Sequence, residues 1–222
     1  MAVPTGSDKP DQVTMVSDCS RKREDLVLGR PPRILPTYSE TIIRAAQEHT
    51  AKLRGTTSTA ATNVAIADIP EMVVTLLGCH ADLYEKVAAV SVHLLRETTL
   101  PRRDLELVVL RVDWLCQSPY NWGEHVRIAK RFGIRSDEIE QITLGSTAPS
   151  WSEHDRALLQ AAEELHNDAM ISDETWKILE ISFNEKQLFE LVVLVGQFTL
   201  VTYFQNSLRL RLSPGNEGLQ GR

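Results

Sequence analysis

Cysteine is scarce in this chain: three thiols, Cys19, Cys79 and Cys116, among 222 residues. They are far apart and odd in number, so no disulfide framework and no Cys-x-x-Cys metal or redox pair is expected. Reduced thiols of this kind point to the cytoplasm. A basic cluster is also missing. Lys plus Arg is 24 against 30 for Asp plus Glu, a formal charge of −6, which argues against a nucleic-acid partner. No apolar run reaches the ~18 residues of a membrane span. The longest, Leu188 to Val195, is interrupted by Glu190. The first residues are polar, without the charged-then-apolar pattern of an export signal. No segment alternates apolar and polar residues over a strand's length, which leaves an all-α chain.

Helix punctuation is plentiful instead. Residues 1–36 hold Pro4, Pro10, Pro31, Pro32 and Pro36 with little periodicity, and read as a tail, either disordered or wrapping a partner subunit. Residues 37–212 read as one helical domain, and 213–222 as a C-terminal tail. Tyr38 to Leu53 is a helix ended at Arg54-Gly55, followed by a Thr/Ala-rich loop to Asn63. Asp68 is expected to cap the next helix, with Pro70 in its first turn and a break near Gly78. Leu83–Leu95 follows, then a helix from Pro101 to about Cys116. Ser118-Pro119 opens another that stops at Phe132-Gly133. Ser136, Ser152, Ser172 and Asn184 look like four further caps.

One internal similarity stands out. Leu105-Glu106-Leu107-Val108-Val109-Leu110 nearly repeats as Phe189-Glu190-Leu191-Val192-Val193-Leu194, offset by 84 residues. A duplicated helical unit would put Glu106 and Glu190 in related positions. Shared Leu/Val composition of two buried helices is the alternative, but the glutamate in register inside each apolar run favours the duplicated unit.

The chemistry concentrates between Glu106 and His125. A carboxylate inside an apolar helix is costly unless paired, so Glu106 is either a tuned acid–base group or an ion-pair partner of Arg102, Arg103 or Arg111. His125 titrates near neutral pH and shares a helix face with Asn121. Glu124 is read as pointing elsewhere. Ser118, Tyr120 and Asn121 cluster at a helix start, where exposed N–H groups attract anions, so they are candidates for substrate contact; Ser118 also caps. His80 and His93 are candidates for the same pocket. A metal held by His80, His93, His125 and Glu106 lacks the tight helical spacing such a site needs, so no metal is assigned. Trp122, with Trp114, is a candidate wall, and Gln197 a polar group of the second repeat that faces either pocket or interface.

These residues resemble a known pattern. In the peroxidase branch of the alkylhydroperoxidase D-like / carboxymuconolactone decarboxylase family it runs Glu, eleven residues, Cys, two residues, Cys, three residues, His. Glu106 and His125 take its ends, while Ser118 and Asn121 stand at the cysteine positions. Further resemblance to the decarboxylase-like branch runs over roughly residues 68–212, through Leu100-Pro101-Arg102-Arg103-Asp104-Leu105, Trp114-Leu115-Cys116, Asp155-Arg156-Ala157 and Val195-Gly196-Gln197. The resemblance implies an alkylhydroperoxidase D-like helical bundle, a homo-oligomer of trimers or their multiples, and a pocket carrying Glu106 and His125. Without both cysteines, thiol peroxidase activity is not expected. It implies a cofactor-free lyase, decarboxylase or isomerase acting on a small carboxylated lactone or carbonyl compound through an enolate-like intermediate. A non-catalytic oligomeric binding protein on the same scaffold is the rival. A thiol enzyme using Cys116 is a thinner third.

Overall fold

The computed structural model describes residues 12–55 and 64–222, with side chains from residue 19 onward. The Thr/Ala-rich loop expected over 56–63 lies outside the described residues. These are all helical, with no strand among them. Nine α-helices follow in order: α1 (Gln12–Val27), α2 (Glu40–Arg54), α3 (Glu71–Arg96), α4 (Arg102–Leu115), α5 (Pro119–Arg131), α6 (Ser136–Leu144), α7 (Glu153–Asp168), α8 (Asp173–Leu179) and α9 (Glu185–Leu208).

Helix α4 is the axle. Every residue from Leu105 to Trp114 is buried, as a helix enclosed on all sides must be. It packs against α7, α5, α9 and α6. The main core gathers Leu105, Leu107, Leu110, Trp122, Leu158, Leu191 and Leu194 around it.

The turn from α4 to α5 decides the geometry that follows. Gln117 adopts φ 48°. Its N–H reaches Trp114 O and the Ser118 N–H reaches Asp113 O. That pair of bonds is a Schellman closure, here with glutamine in the left-handed position glycine usually takes. The chain reverses at once, and α5 returns antiparallel along α4. Side chains well separated in sequence, such as Glu106 and His125, are thereby brought abreast.

Several local expectations change in detail. Asp68 does not cap α3; it ends a 3-10 turn, Ile66–Asp68, and Pro70 takes the cap position. Ser136 lies inside α6, where Arg135 caps and its N–H is held by the Glu138 carboxylate at 3.0 Å. Ser152, Ser172 and Asn184 do cap by side chain. The break near Gly78 falls at His80 (φ −161°, ψ 79°), whose Nδ1 accepts the Leu83 N–H at 3.3 Å and so restarts the second half of α3.

The two segments read as tails are docked on the chain itself where they are described. Residues 12–27 form α1. Glu24 on it accepts the Leu219 N–H at 2.6 Å. Leu219 is buried in the main core, Trp122 Nε1 donates to Gly221 O at 3.0 Å, and Asn216 Nδ2 donates to Tyr120 O at 2.8 Å. Arg211 ties the chain after α9 to the carbonyls of Leu28 and Arg30. The C-terminal segment therefore braces α5 from outside, and α1 holds that segment in turn.

Candidate functional site

Glu106 is wholly buried on α4. Its Oε1 accepts from Arg102 one turn earlier at 3.0 Å, and its Oε2 meets His125 Nδ1 at 2.8 Å. The carboxylate is thus both things the sequence allowed: an ion-pair partner of Arg102 and a partner of the histidine. Arg102 is fixed in turn by Leu95 O at 2.8 Å and by the Phe132 ring at 4.6 Å. The bond from His125 Nδ1 to a carboxylate sets the tautomer with its proton on Nδ1 and leaves Nε2 bare. The imidazole also meets the Phe198 ring edge-on at 5.1 Å. Burial alone would depress its pKa. The Glu106 charge and hydrogen bond, with Asp113 and Glu124 beyond, outweigh burial and lift it above the ordinary 6.5.

His125 lines a cavity of about 180 Å³. Its walls come from α2 (His49, Leu53), α3 (Tyr84, Val87, Ala88, Ser91, Leu95), α5 (Tyr120, Asn121, Glu124) and α9 (Phe198, Val201, Phe204, Gln205). Asn121 and Gln205 belong to a buried polar chain. Asn121 Nδ2 donates to Asp113 Oδ1 at 2.7 Å, Gln205 Nε2 donates to Asn121 Oδ1 at 3.2 Å, and Ser118 Oγ donates to Gln205 Oε1 at 2.9 Å. Asp113 is fully buried and its Oδ2 has no partner. Burial pushes its pKa up to about 7, with Glu106 adding to that and His125 and Asn121 opposing it.

The sequence-derived candidates separate clearly. His125, Tyr120 and Asn121 line the cavity, and Glu106 stands directly behind His125. Ser118 does not: it occupies the cap position of α5 without a side-chain cap bond and is sealed beneath the cavity against Gln205. Trp122 is core, 4.9 Å from Trp114, because its position on α5 faces the C-terminal segment. Gln197 sits behind the wall, its amide donating to Val87 O at 3.0 Å and Ser91 Oγ at 2.8 Å. His93 is exposed beside Glu97 at 3.1 Å, in a separate shallow groove with Phe189 and Lys186. His80 is exposed and committed to the α3 kink. The four-residue metal set weighed from the sequence is therefore not assembled. Glu124, read as pointing away, lines the cavity.

Three groups were not singled out from the sequence for this role. Asp113 lies on α4 two turns beyond Glu106, and nothing in its local sequence marks it as buried. His49 and Tyr84 come from α2 and the restarted half of α3, and no local signal ties them to His125. Tyr84 Oη and His49 Nε2 are 3.2 Å apart in the cavity wall. Burial, then the nearby Lys52 charge, lowers His49 to a pKa of about 4, and burial, then Tyr120, raises that of Tyr84. Both are neutral at pH 7.

Residues 81–164 match the carboxymuconolactone decarboxylase family model. This match supports the resemblance to the carboxymuconolactone decarboxylase / alkylhydroperoxidase D-like family carried by Glu106 and His125. The matched span carries Glu106 and His125, whereas α2 and α9, two walls of the cavity, lie outside it. No curated protein matches the sequence. Among solved structures, a peroxidase-related protein from Silicibacter sp. TM1040 is similar at 14% identity, covering 96% of this chain and 98% of its own, with a TM-score of 0.66. The debrominase Bmp8 is similar at 13% identity over 82% of this chain and 93% of its own, TM-score 0.63. A peroxidase-related protein from Ralstonia eutropha JMP134 is 15% identical over 98% of this chain and all of its own, TM-score 0.59. At such identities the likeness establishes the fold.

Proposed function

We propose that the chain is a cofactor-independent lyase or isomerase that moves a proton through His125. The observation that carries this reading is the pairing at His125: Nδ1 is held by buried Glu106 at 2.8 Å while the ring lines a largely apolar cavity. A carbonyl compound or lactone bound there has an acidic C–H. Nε2 takes that proton, leaving an enolate, and the imidazolium formed is paired with Glu106. Return of the proton to another carbon of the enolate migrates a double bond. If a carboxylate leaves as CO₂ instead, His125 starts protonated, its Nε2 proton passes to the carbanion, and the neutral ring is recharged from solvent. Glu106 orients the ring and offsets its charge, and Arg102 holds Glu106.

The family supports a cofactor-free catalyst in general terms; the proton-transfer chemistry is our reading of the geometry. The rival, a binding protein without catalysis, does not account for a buried His125–Glu106 pair at a cavity wall. Thiol chemistry through Cys116 is weaker still. That thiol does not line the cavity, and burial, only partly opposed by bonds to Thr202 and Thr199, raises its pKa. We further propose that the protein works as a cytoplasmic homo-oligomer.

The test is exchange of carbon-bound hydrogen in ²H₂O, followed by NMR over a panel of small lactones and enones. The protein should label or convert at least one. His125→Gln should slow that by about a hundredfold or more, the scale of general acid–base catalysis. In the native protein the acidic limb of the rate profile, where His125 becomes protonated and can no longer act as base, should lie above pH 6.5, and Glu106→Gln should move it down. A His125→Gln variant as active as the native chain would rule out this mechanism.

A further inference from the structure

The cavity has an unusual balance of charge. Among the described residues no lysine or arginine lines it. Arg102 is already engaged by Glu106 and Leu95 O. The acids, by contrast, crowd in: Glu124 is in the wall, and Asp113 lies behind Asn121. The helix start that would welcome an anion is therefore backed by carboxyl groups. The one group there that can carry positive charge, His125, is already paired with Glu106, so a carboxylate taken from water would compete with Glu106 for it and face Glu124 and Asp113 as well. Asn121 has only one N–H left to offer it, since Nδ2 already donates to Asp113 and Oδ1 is held by Gln205.

The remaining polar pair in the wall is neutral and adaptable. With the proton of His49 on Nδ1, the Tyr84 hydroxyl donates to Nε2 and its oxygen can accept from a ligand hydroxyl. With the proton on Nε2, His49 donates to the phenol oxygen, and the Tyr84 O–H is free for a ligand carbonyl. Most of the remaining wall is apolar, with Val87, Ala88, Phe198, Val201 and Phe204 in it, while the Tyr120 hydroxyl is taken up by Ser213 and the Ser91 hydroxyl by Gln197. A volume of about 180 Å³ compares with the roughly 150 Å³ that takes up benzene in an engineered core.

We infer that the ligand of this cavity is an uncharged molecule of about one ring, carrying a hydroxyl or carbonyl that the Tyr84–His49 pair reads, and not a carboxylate. This rests on the proton-transfer reading for its chemistry but specifies the substrate class within it: lactones, enones or phenols without an acid group.

Binding tests it without turnover. Phenol and benzoate share a ring and differ in charge at pH 7, and toluene supplies the ring alone. Titration of the full chain, by calorimetry or by NMR of the protein, should give phenol at least about tenfold tighter than benzoate. Tyr84→Phe, which keeps the ring, should weaken phenol by about five- to tenfold and leave toluene unchanged; His49→Gln provides a second variant with the same expectation. Benzoate equal to or tighter than phenol overturns the inference, and so does failure of all three probes to bind. The two readings fail separately. A phenol preference without any carbon-bound exchange leaves the ligand class standing and removes the reaction. Exchange with a benzoate preference does the reverse.

Discussion

Asp113 is the residue whose titration the fold perturbs most legibly. Its pKa rises from 3.8 in a solvated chain to about 7 in the fold, chiefly through burial. An acid shifted upward contributes full stability below its unfolded pKa, and loses it as pH rises through the folded value, because the unfolded chain then gives up its proton first. His125, with its pKa raised above 6.5, acts in the same sense: the bond to Glu106 favours the protonated ring, and that contribution fades above the raised pKa. Stability to urea should therefore fall between pH 5 and pH 8. Asp113→Asn should flatten that slope by a few kcal/mol, the scale of such a shift, while costing little at pH 4. An unchanged slope in the variant would show that Asp113 ionises freely. At this scale the sequence was informative where spacing sufficed. Glu106 and His125 could be paired because one tight turn joins their helices. Asp113, His49 and Tyr84 could not, because their role comes from burial and from helices that meet only in the tertiary structure.

At the scale of elements, helix α5 depends on segments that sequence alone makes look dispensable. Residues 213–222 lack periodicity, so they read as a tail, yet the bonds from Asn216 to Tyr120 O and from Trp122 to Gly221 O seat them on α5. Gly123 is the point of closest approach: a Cβ there would overlap Asn216 Oδ1 and Cγ. Gly123→Ala should therefore push the C-terminal segment off the helix. Melting should drop by several degrees, and limited proteolysis should cleave near residues 213–217, whereas the native chain resists there. Equal protease resistance in the two proteins would mean the segment can shift without detaching. Helix caps were mostly readable because capping is a local bond between a side chain and a nearby N–H, as Ser152, Ser172 and Asn184 show. Ser118 shows the limit. It holds the cap position, but burial beside Gln205 drew its hydroxyl into a long-range bond instead.

For the whole molecule, α9 is the element that does not suit an isolated globule. Its polar groups turn inward: Glu190 accepts from Thr98 and Thr99, Gln197 binds Val87 O, and Gln205 binds Asn121. Its outer face carries Phe189, Val192, Leu200 and Tyr203, spaced for one stripe and exposed, with Val90 of α3 also exposed. By length and composition α9 is apolar enough to cross a membrane, although Glu190 interrupts its apolar run. The inward hydrogen bonds fix it to α3, α4 and α5, so the stripe is better matched to a second copy of the chain than to lipid. Glu190 also shows how the two repeated segments diverge: its carboxylate pins the turn before α4, while Glu106 serves the cavity. Light scattering on the native chain at micromolar concentration should give a multiple of 24.9 kDa. Leu200→Glu, placing a charge in the stripe, should shift that mass toward a single chain without lowering helix content. A native protein that is monomeric would remove the self-association reading. One that instead sediments with phospholipid vesicles would assign the stripe to a membrane surface.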